Sequence, residues 1–145
     1  MTKVIILQGN DNIGKTTTLK LVVRKLLDNK ARLIAFSNNF AKWIRGDEVG
    51  DIWAIMEYKN EIIFITTRGD YPKCILNDFD SALQMAKLDA NKVDVFICAA
   101  YNKTQVSKVF KRLNLSMLNP IIINKNPSPT KANDMADAKM VFSHI

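Results

Sequence analysis

The feature that most constrains the fold is a short apolar run followed by a glycine-rich loop and an amphipathic helix. Residues 4–7 are all apolar, as in a buried strand. The next residues, Gly9-Asn10-Asp11-Asn12-Ile13-Gly14-Lys15-Thr16, match the spacing G-x-x-x-x-G-K-[ST]. Apolar residues then recur at helical spacing, at Leu19, Val22, Val23, Leu26 and Leu27. A buried strand before the loop and a helix directly after it are the structural context that this motif requires.

The residue types in this loop suit the binding of a polyphosphate. Gly9 and Gly14 let the backbone turn tightly and approach an anion closely. Consecutive N–H groups and the helix N-terminus then point at the anion. The spacing lets Lys15 reach the β- and γ-phosphates and lets Thr16 give its hydroxyl to Mg²⁺. We therefore expect the phosphates to contact Gly9, Asn10, Asp11, Asn12, Ile13, Gly14, Lys15, Thr16 and Thr17.

This stretch resembles the P-loop NTPase superfamily. The resemblance implies a three-layer α/β fold that binds a nucleoside triphosphate together with Mg²⁺. About the first third of the chain, up to Phe36, is also similar to MobB-type and dethiobiotin-synthetase-type proteins. The alternative interpretation is a glycine-rich turn that caps an ordinary helix.

The remaining sequence alternates between strand-like and helical patterns, and we expect one domain over residues 1–145. Further strands are predicted over residues 32–36, 52–58, 61–67, 93–99 and 120–123. Further helices are predicted over residues 72–90, 104–113 and 131–145. The dipeptide Lys59-Asn60 between two strand-like runs suggests a β-hairpin. Together these patterns predict a mostly parallel five-stranded sheet with an added antiparallel hairpin strand.

The usual acidic partner of the loop is displaced in this sequence. Most P-loop enzymes place an Asp at the end of an apolar strand, where it holds Mg²⁺. Here the strand ends in Thr66, and the nearest following carboxylate is Asp70. Asp70 is predicted either to hold the metal or a water molecule, or to cap the helix that begins at Pro72. Arg68 is the favoured additional cation for the γ-phosphate, with an ordinary surface arginine as the alternative.

Two short stretches also resemble GTPase elements. Thr66-Thr67-Arg68-Gly69 is similar to D-x-x-G with Thr in place of Asp, which implies that the Gly69 N–H contacts the γ-phosphate. Asn124-Lys125-Asn126-Pro127 is similar to N-K-x-D with Pro in place of Asp, which implies that Asn124 and Lys125 line the base. Because both stretches lack the carboxylate, ATP is favoured over GTP. A polar loop after an edge strand is the alternative for the second stretch.

The segment between the second strand and the hairpin is irregular and carries an acidic cluster. Asp47, Glu48 and Asp51 lie there, and they indicate either a site for an acceptor molecule or a solvated turn. Phe40 and Trp43 of the same segment are either core residues or part of a mobile lid or partner surface.

Composition narrows the class of protein. The net charge of +7 indicates either affinity for nucleic acid or lysines spread over solvated helices. Two cysteines and one histidine argue against a disulfide framework or a zinc site. No apolar run approaches the length of a membrane span, and the N-terminus lacks a signal-peptide pattern, so a cytoplasmic location is expected.

These observations predict a protein that binds Mg²⁺ with ATP, less readily GTP. The predicted chemistry is hydrolysis of the γ-phosphate or its transfer to a small acceptor. The alternative is a nucleotide-binding sensor or interaction module with little or no turnover, which the missing strand-end Asp favours. A nucleic-acid-associated ATPase is a third interpretation, and it rests on net charge alone.

Overall fold

The computed structural model describes residues 2–69, 71–117 and 119–145. Six strands form one sheet: β1 (Lys3–Gln8), β2 (Arg32–Phe36), β3 (Trp53–Tyr58), β4 (Glu61–Thr66), β5 (Val95–Ala100) and β6 (Ile121–Asn124). The helices are α1 (Lys15–Asp28), α2 (Phe40–Ile44), α3 (Pro72–Ala86), α4 (Lys103–Arg112) and α5 (Lys131–Ser143), with a 3₁₀ turn at Ala90–Lys92.

The sheet is mixed, with a single antiparallel strand among the described residues. Its strand order is β2-β3-β4-β5-β1-β6, and β3 runs antiparallel to both of its neighbours. Lys59 and Asn60 join β3 to β4 with φ values of 50° and 65°, the left-handed geometry that suits a two-residue hairpin. The predicted α/β class and the mostly parallel sheet with an antiparallel hairpin strand are therefore confirmed.

Two hydrophobic cores lie on opposite faces of the sheet. Helices α1, α2 and α5 pack on one face, and α3 and α4 pack on the other. The second core is dominated by phenylalanine rings whose neighbouring centroids lie 4.9 to 5.1 Å apart, namely Phe64, Phe79, Phe96 and Phe110. Because the central strands are buried on both faces, they appear in the sequence as continuous apolar runs.

Two local differences from the predicted elements concern helices. The segment predicted to be irregular contains the five-residue helix α2, whose Phe40 and Trp43 are buried in the first core. A helix of five residues is too short to show a periodic pattern. Helix α3 is also shorter than predicted, because it ends at Ala86, where Lys87 adopts a left-handed φ of 56°.

The connections between strands define a crevice at the edge of the sheet that is formed by the carboxyl ends of the parallel strands. Helix α1 leads from β1 toward β2 on one face, whereas α4 leads from β5 toward β6 on the other. The chain therefore departs in opposite directions from two adjacent parallel strands, β1 and β5. In open α/β sheets such a switch point is where ligands bind.

Candidate functional site

The loop between β1 and α1, residues 9–14, lies at this crevice. We call it the β1–α1 loop. Asn12 and Gly14 adopt left-handed φ values of 60° and 90° within it. Such residues in a turn let consecutive N–H groups face one concavity. A pocket of about 240 Å³ opens there, lined by Asp11, Asn12, Gly14, Lys15, Thr16 and Thr17.

Both glycines of the loop lie in close contact with other parts of the protein. A Cβ on Gly9 would overlap the Ile13 side chain, and a Cβ on Gly14 would lie 2.7 Å from Asp134 Oδ1. Gly14 also has the positive φ that other residues adopt only with strain. The loop conformation therefore depends on glycine at position 14, whereas at position 9 a shift of the Ile13 side chain could make room for a Cβ.

Lys15 folds back over the loop instead of extending into solvent. Its Nζ donates to the carbonyl oxygen of Gly9 and lies 4.7 Å from the centroid of the Tyr101 ring. The residue is 7% exposed. Tyr101 directly follows β5, and its N–H donates to Gln105 Oε1 at 2.9 Å. Tyr101 belongs to no sequence motif. The one sequence signal that could point to a role at the site is its position directly after a predicted strand.

The hydroxyl of Thr16 is hydrogen-bonded to the carboxylate of Asp51. Asp51 Oδ1 accepts hydrogen bonds from Thr16 Oγ1 at 3.2 Å and from Thr67 Oγ1 at 2.9 Å. Thr67 Oγ1 in turn accepts from the Ile52 N–H at 3.0 Å, and Asn39 Nδ2 donates to the Asp51 carbonyl at 3.0 Å. The interpretation of Asp51 as part of a solvated turn is therefore wrong, because its side chain is partly buried in a hydrogen-bonded network.

The other two acidic residues of that segment are exposed. Asp47 and Glu48 line a second pocket of about 370 Å³, together with Lys20, Arg24 and Trp43. The Arg24 guanidinium lies 4.4 Å from the centroid of the Trp43 ring. Burial lowers the pKa of Lys20, while the charges of Asp51 and Glu48 act in the opposite direction. This pocket lies one helical turn along α1 from Thr16.

Arg68 is held by helix α3. Its Nε lies 3.2 Å from Asp78 Oδ2, and Thr66 Oγ1 donates to the same oxygen at 2.9 Å. Burial raises the pKa of Asp78, although the bonds from Thr66 and Arg68 act in the opposite direction. Thr66 thus occupies the position where most P-loop enzymes have an Asp, and its hydroxyl donates a hydrogen bond to Asp78 of α3. A role for Arg68 at the γ-phosphate stays a prediction.

The chain after β4 passes close to β5. A Cβ on Gly69 would overlap the carbonyl oxygen of Ala99, so this position requires glycine for packing alone. Helix α3 begins at Pro72, with Tyr71 at the N-cap position. Asp70 lies outside the described residues, so both of its predicted roles, metal or water binding and helix capping, stay predictions.

Lys125 lies in a buried ionic cluster that we call the Lys125 cluster: Lys125, Asp134 and Asp137. Lys125 Nζ is 2.8 Å from Asp134 Oδ1 and 3.0 Å from Asp137 Oδ2, and its side chain is fully buried. Burial by itself lowers the pKa of Lys125, but the two carboxylates outweigh this effect and raise it. Asn124 Oδ1 accepts from Gln8 Nε2 at 3.1 Å. The expected contacts of Asn124 and Lys125 with a base stay predictions.

The Lys125 cluster supports the β1–α1 loop from behind. The Lys125 N–H donates to the Gln8 carbonyl at 2.8 Å, directly before the loop. Asp134 Oδ1 abuts Gly14, where it leaves no room for a Cβ, and Lys125 Cβ would lie 3.3 Å from a Cβ on Gly9. More than 100 residues separate the cluster from the loop in the chain, so no local pattern reveals this contact.

No protein-family model matches the chain, and no curated protein or solved structure matches it. No helix within the described ranges is long and apolar enough to cross a membrane.

Proposed function

We propose that this chain is a P-loop NTPase that binds Mg²⁺ and a nucleoside triphosphate at the β1–α1 loop, with ATP favoured over GTP. The proposed chemistry is hydrolysis of the γ-phosphate or its transfer to a small acceptor. The observation that carries the proposal is the 240 Å³ pocket, which is lined by the residues of the motif itself at the crevice between β1 and β5.

Each group near the pocket has a role that follows from its chemistry. Phosphoryl transfer depends mainly on positioning and on compensation of negative charge. The loop N–H groups hold the phosphate oxygens, and the Lys15 ammonium leaves the Gly9 carbonyl to pair with them. Thr16 offers its hydroxyl oxygen to Mg²⁺, which when bound neutralises the developing charge. Gly69 and Arg68, which follow β4, are the groups proposed to contact the γ-phosphate.

The alternative function is a nucleotide-binding sensor or interaction module with little or no turnover. The pairing of Arg68 with Asp78 favours it, because a guanidinium held by a carboxylate 3.2 Å away is less available to a γ-phosphate. Conversion of ATP to ADP distinguishes the two functions, and inorganic phosphate accompanies the ADP if the γ-phosphate is hydrolysed. A sensor binds nucleotide without measurable conversion, with or without added nucleic acid.

The proposal is tested by calorimetric titration of a non-hydrolysable ATP analogue with Mg²⁺. Lys15→Ala should weaken binding by at least about tenfold, because it removes a charge-assisted hydrogen bond to phosphate, worth roughly 1.5–3 kcal/mol. Lys139→Ala removes an equal charge from an exposed position of α5 and should leave the affinity within about twofold. Equal affinity of Lys15→Ala and the wild-type protein would refute the proposed site. Parallel titration with the GTP analogue tests the preference for ATP.

A further inference from the structure

We infer that Asp51 supplies the carboxylate of the metal site, in place of the Asp that is absent from the end of β4. This inference rests on the proposed function, and it identifies which residue of this chain completes the Mg²⁺ shell beside Thr16. Asp51 precedes β3 and is separated from Thr16 by 35 positions in the chain.

The antiparallel strand explains how Asp51 arrives at this edge of the sheet. In the β3–β4 pairing Trp53 lies opposite Thr66, the last residue of β4. The residues just before β3 therefore lie beside those just after β4, and the Thr67 N–H donates to the Ile52 carbonyl at 3.0 Å. A parallel strand at this place would begin at the opposite edge of the sheet. The hairpin thus brings the Asp51 carboxylate beside the end of β4, where the sequence has Thr66 instead of an Asp.

The spacing of oxygen atoms suits a magnesium ion. Thr16 Oγ1 and Asp51 Oδ1 lie 3.2 Å apart. Neighbouring ligands of an octahedral Mg²⁺, with metal–oxygen distances of 2.0–2.1 Å at right angles, are about 2.9 Å apart. The two oxygens would therefore need to move by only a few tenths of an ångström to hold the ion together, with the Thr16 hydroxyl proton directed away from Asp51.

The carboxylate is held in place independently of Thr16. Thr67 Oγ1 accepts from the Ile52 N–H, so its single proton is directed to Asp51 Oδ1 at 2.9 Å. Thr67 is only 2% exposed, which restricts its side chain. Thr67 is therefore a positioning residue, and it keeps Asp51 facing Thr16 when the Thr16 hydroxyl changes partner.

The charge at Asp51 also suits a cation. Within residues 2–69, 71–117 and 119–145, no lysine, arginine or histidine nitrogen lies within 4.0 Å of its carboxylate, although Lys20 and Arg68 are near enough to feel its charge. Within the same ranges no three or more His, Cys, Asp or Glu side chains are grouped so that they could hold a metal ion by themselves. A Mg²⁺ site completed by substrate phosphates needs only one or two carboxylates.

The test compares the affinity for ATP with Mg²⁺ and with EDTA in the wild-type protein and in Asp51→Asn. Asparagine keeps an oxygen that accepts from Thr16 and Thr67, so the network persists while the negative charge is lost. We expect Asp51→Asn to bind metal-free ATP as tightly as the wild type or more tightly. Its preference for Mg²⁺-bound ATP should fall by about tenfold or more. Asp47→Asn, an exposed carboxylate of the same segment, is the matched control and should keep the wild-type preference.

The possible outcomes separate this inference from the proposed function. If the wild-type protein binds neither form of ATP, the proposed function fails. If the wild type prefers Mg²⁺-bound ATP and Asp51→Asn keeps that preference, or weakens both forms equally, only the role of Asp51 is refuted. If Asp51→Asn does not fold, the preference for Mg²⁺-bound ATP is measured in Thr67→Val and Thr67→Ser instead. The inference requires that valine lowers the Mg²⁺ preference and that serine retains it.

Discussion

Two groups of carboxylates flank the N-terminal end of α1, and they differ in how their charge is balanced. On one side Asp134 and Asp137 share the fully buried ammonium of Lys125. On the other side Asp51 is partly buried and contacts the hydroxyls of Thr16 and Thr67. In the first group Lys125 supplies the cation and Asp134 abuts Gly14, so this group stabilises the conformation of the β1–α1 loop. The second, Asp51 alone, has no ion-pair partner among the described residues, and we propose that it binds an external cation.

The two groups should also differ in their importance for folding. A buried charge that loses its partner is costly, because nothing compensates for its transfer out of water. A carboxylate bonded to hydroxyls keeps most of its bonds when it is replaced by an amide. Stability measurements on the two groups therefore test whether one is structural and the other is reserved for a ligand.

The largest effect is expected from Lys125→Met. This change leaves the buried Asp134 and the partly buried Asp137 without their cation, and it should lower the free energy of unfolding by about 3–5 kcal/mol. Urea denaturation followed by circular dichroism measures it. Lys139→Ala, which removes an exposed lysine from α5, should change stability by less than about 0.5 kcal/mol. Similar losses in the two variants would contradict a structural role for the Lys125 cluster.

A smaller loss of stability is expected from Thr67→Val. Valine leaves the Ile52 N–H and the Asp51 carboxylate without the hydroxyl, and an unsatisfied buried donor costs about 1–3 kcal/mol. Thr67→Ser keeps the hydroxyl and should recover most of the loss. Thermal unfolding of both variants without nucleotide measures the difference. A serine variant as unstable as the valine variant would show that the lost methyl group matters more than the hydrogen bonds.

Asp51→Asn should change stability less than either of these substitutions. The amide oxygen still accepts from Thr16 and Thr67, so we expect a change below about 1 kcal/mol in the absence of Mg²⁺ and nucleotide. Urea denaturation under these conditions measures it. A loss as large as that of Lys125→Met would erase the distinction between the two groups of carboxylates.

The smallest effect concerns pH and appears only in alkaline solution. The pKa of Lys125 is raised above 10.5 in the folded protein, so its stabilising contribution is complete below about pH 10.5. That contribution is lost as the pH rises through the higher folded value. The unfolding free energy of the wild-type protein should therefore decline more steeply above about pH 10.5 than that of Lys125→Met. Parallel curves for the two proteins would argue against a charged Lys125 in the cluster.

Much of the architecture can be predicted from sequence because it depends on local patterns. Continuous apolar runs mark the strands, and the observed bounds of Arg32–Phe36 equal the predicted ones. The spacing of two strand-like runs predicts the hairpin, although Lys59-Asn60 is a weaker turn signal than Asn-Gly. The short helix α2 escapes prediction because five residues are too few to establish a helical period.

The candidate site can be predicted only in part. The glycines, Lys15 and Thr16 are close together in the chain, so the motif itself places them together. Sequence patterns do not separate Asp51 from Asp47 and Glu48, because the three look alike in an irregular segment. Asp51 differs from the other two only through its contacts with Thr16 and Thr67, which are distant in the chain.

The sequence by itself determined the α/β class and the glycine-rich loop between a buried strand and a helix, since periodicity and motif spacing act over a few residues. Only the tertiary structure decided which charged groups surround that loop. The antiparallel pairing of β3 with β4 places Asp51 beside Thr16, and the packing of α5 places the Lys125 cluster behind Gly14. Both arrangements depend on contacts between residues far apart in the chain, which the pairing of strands and the packing of helices fix together.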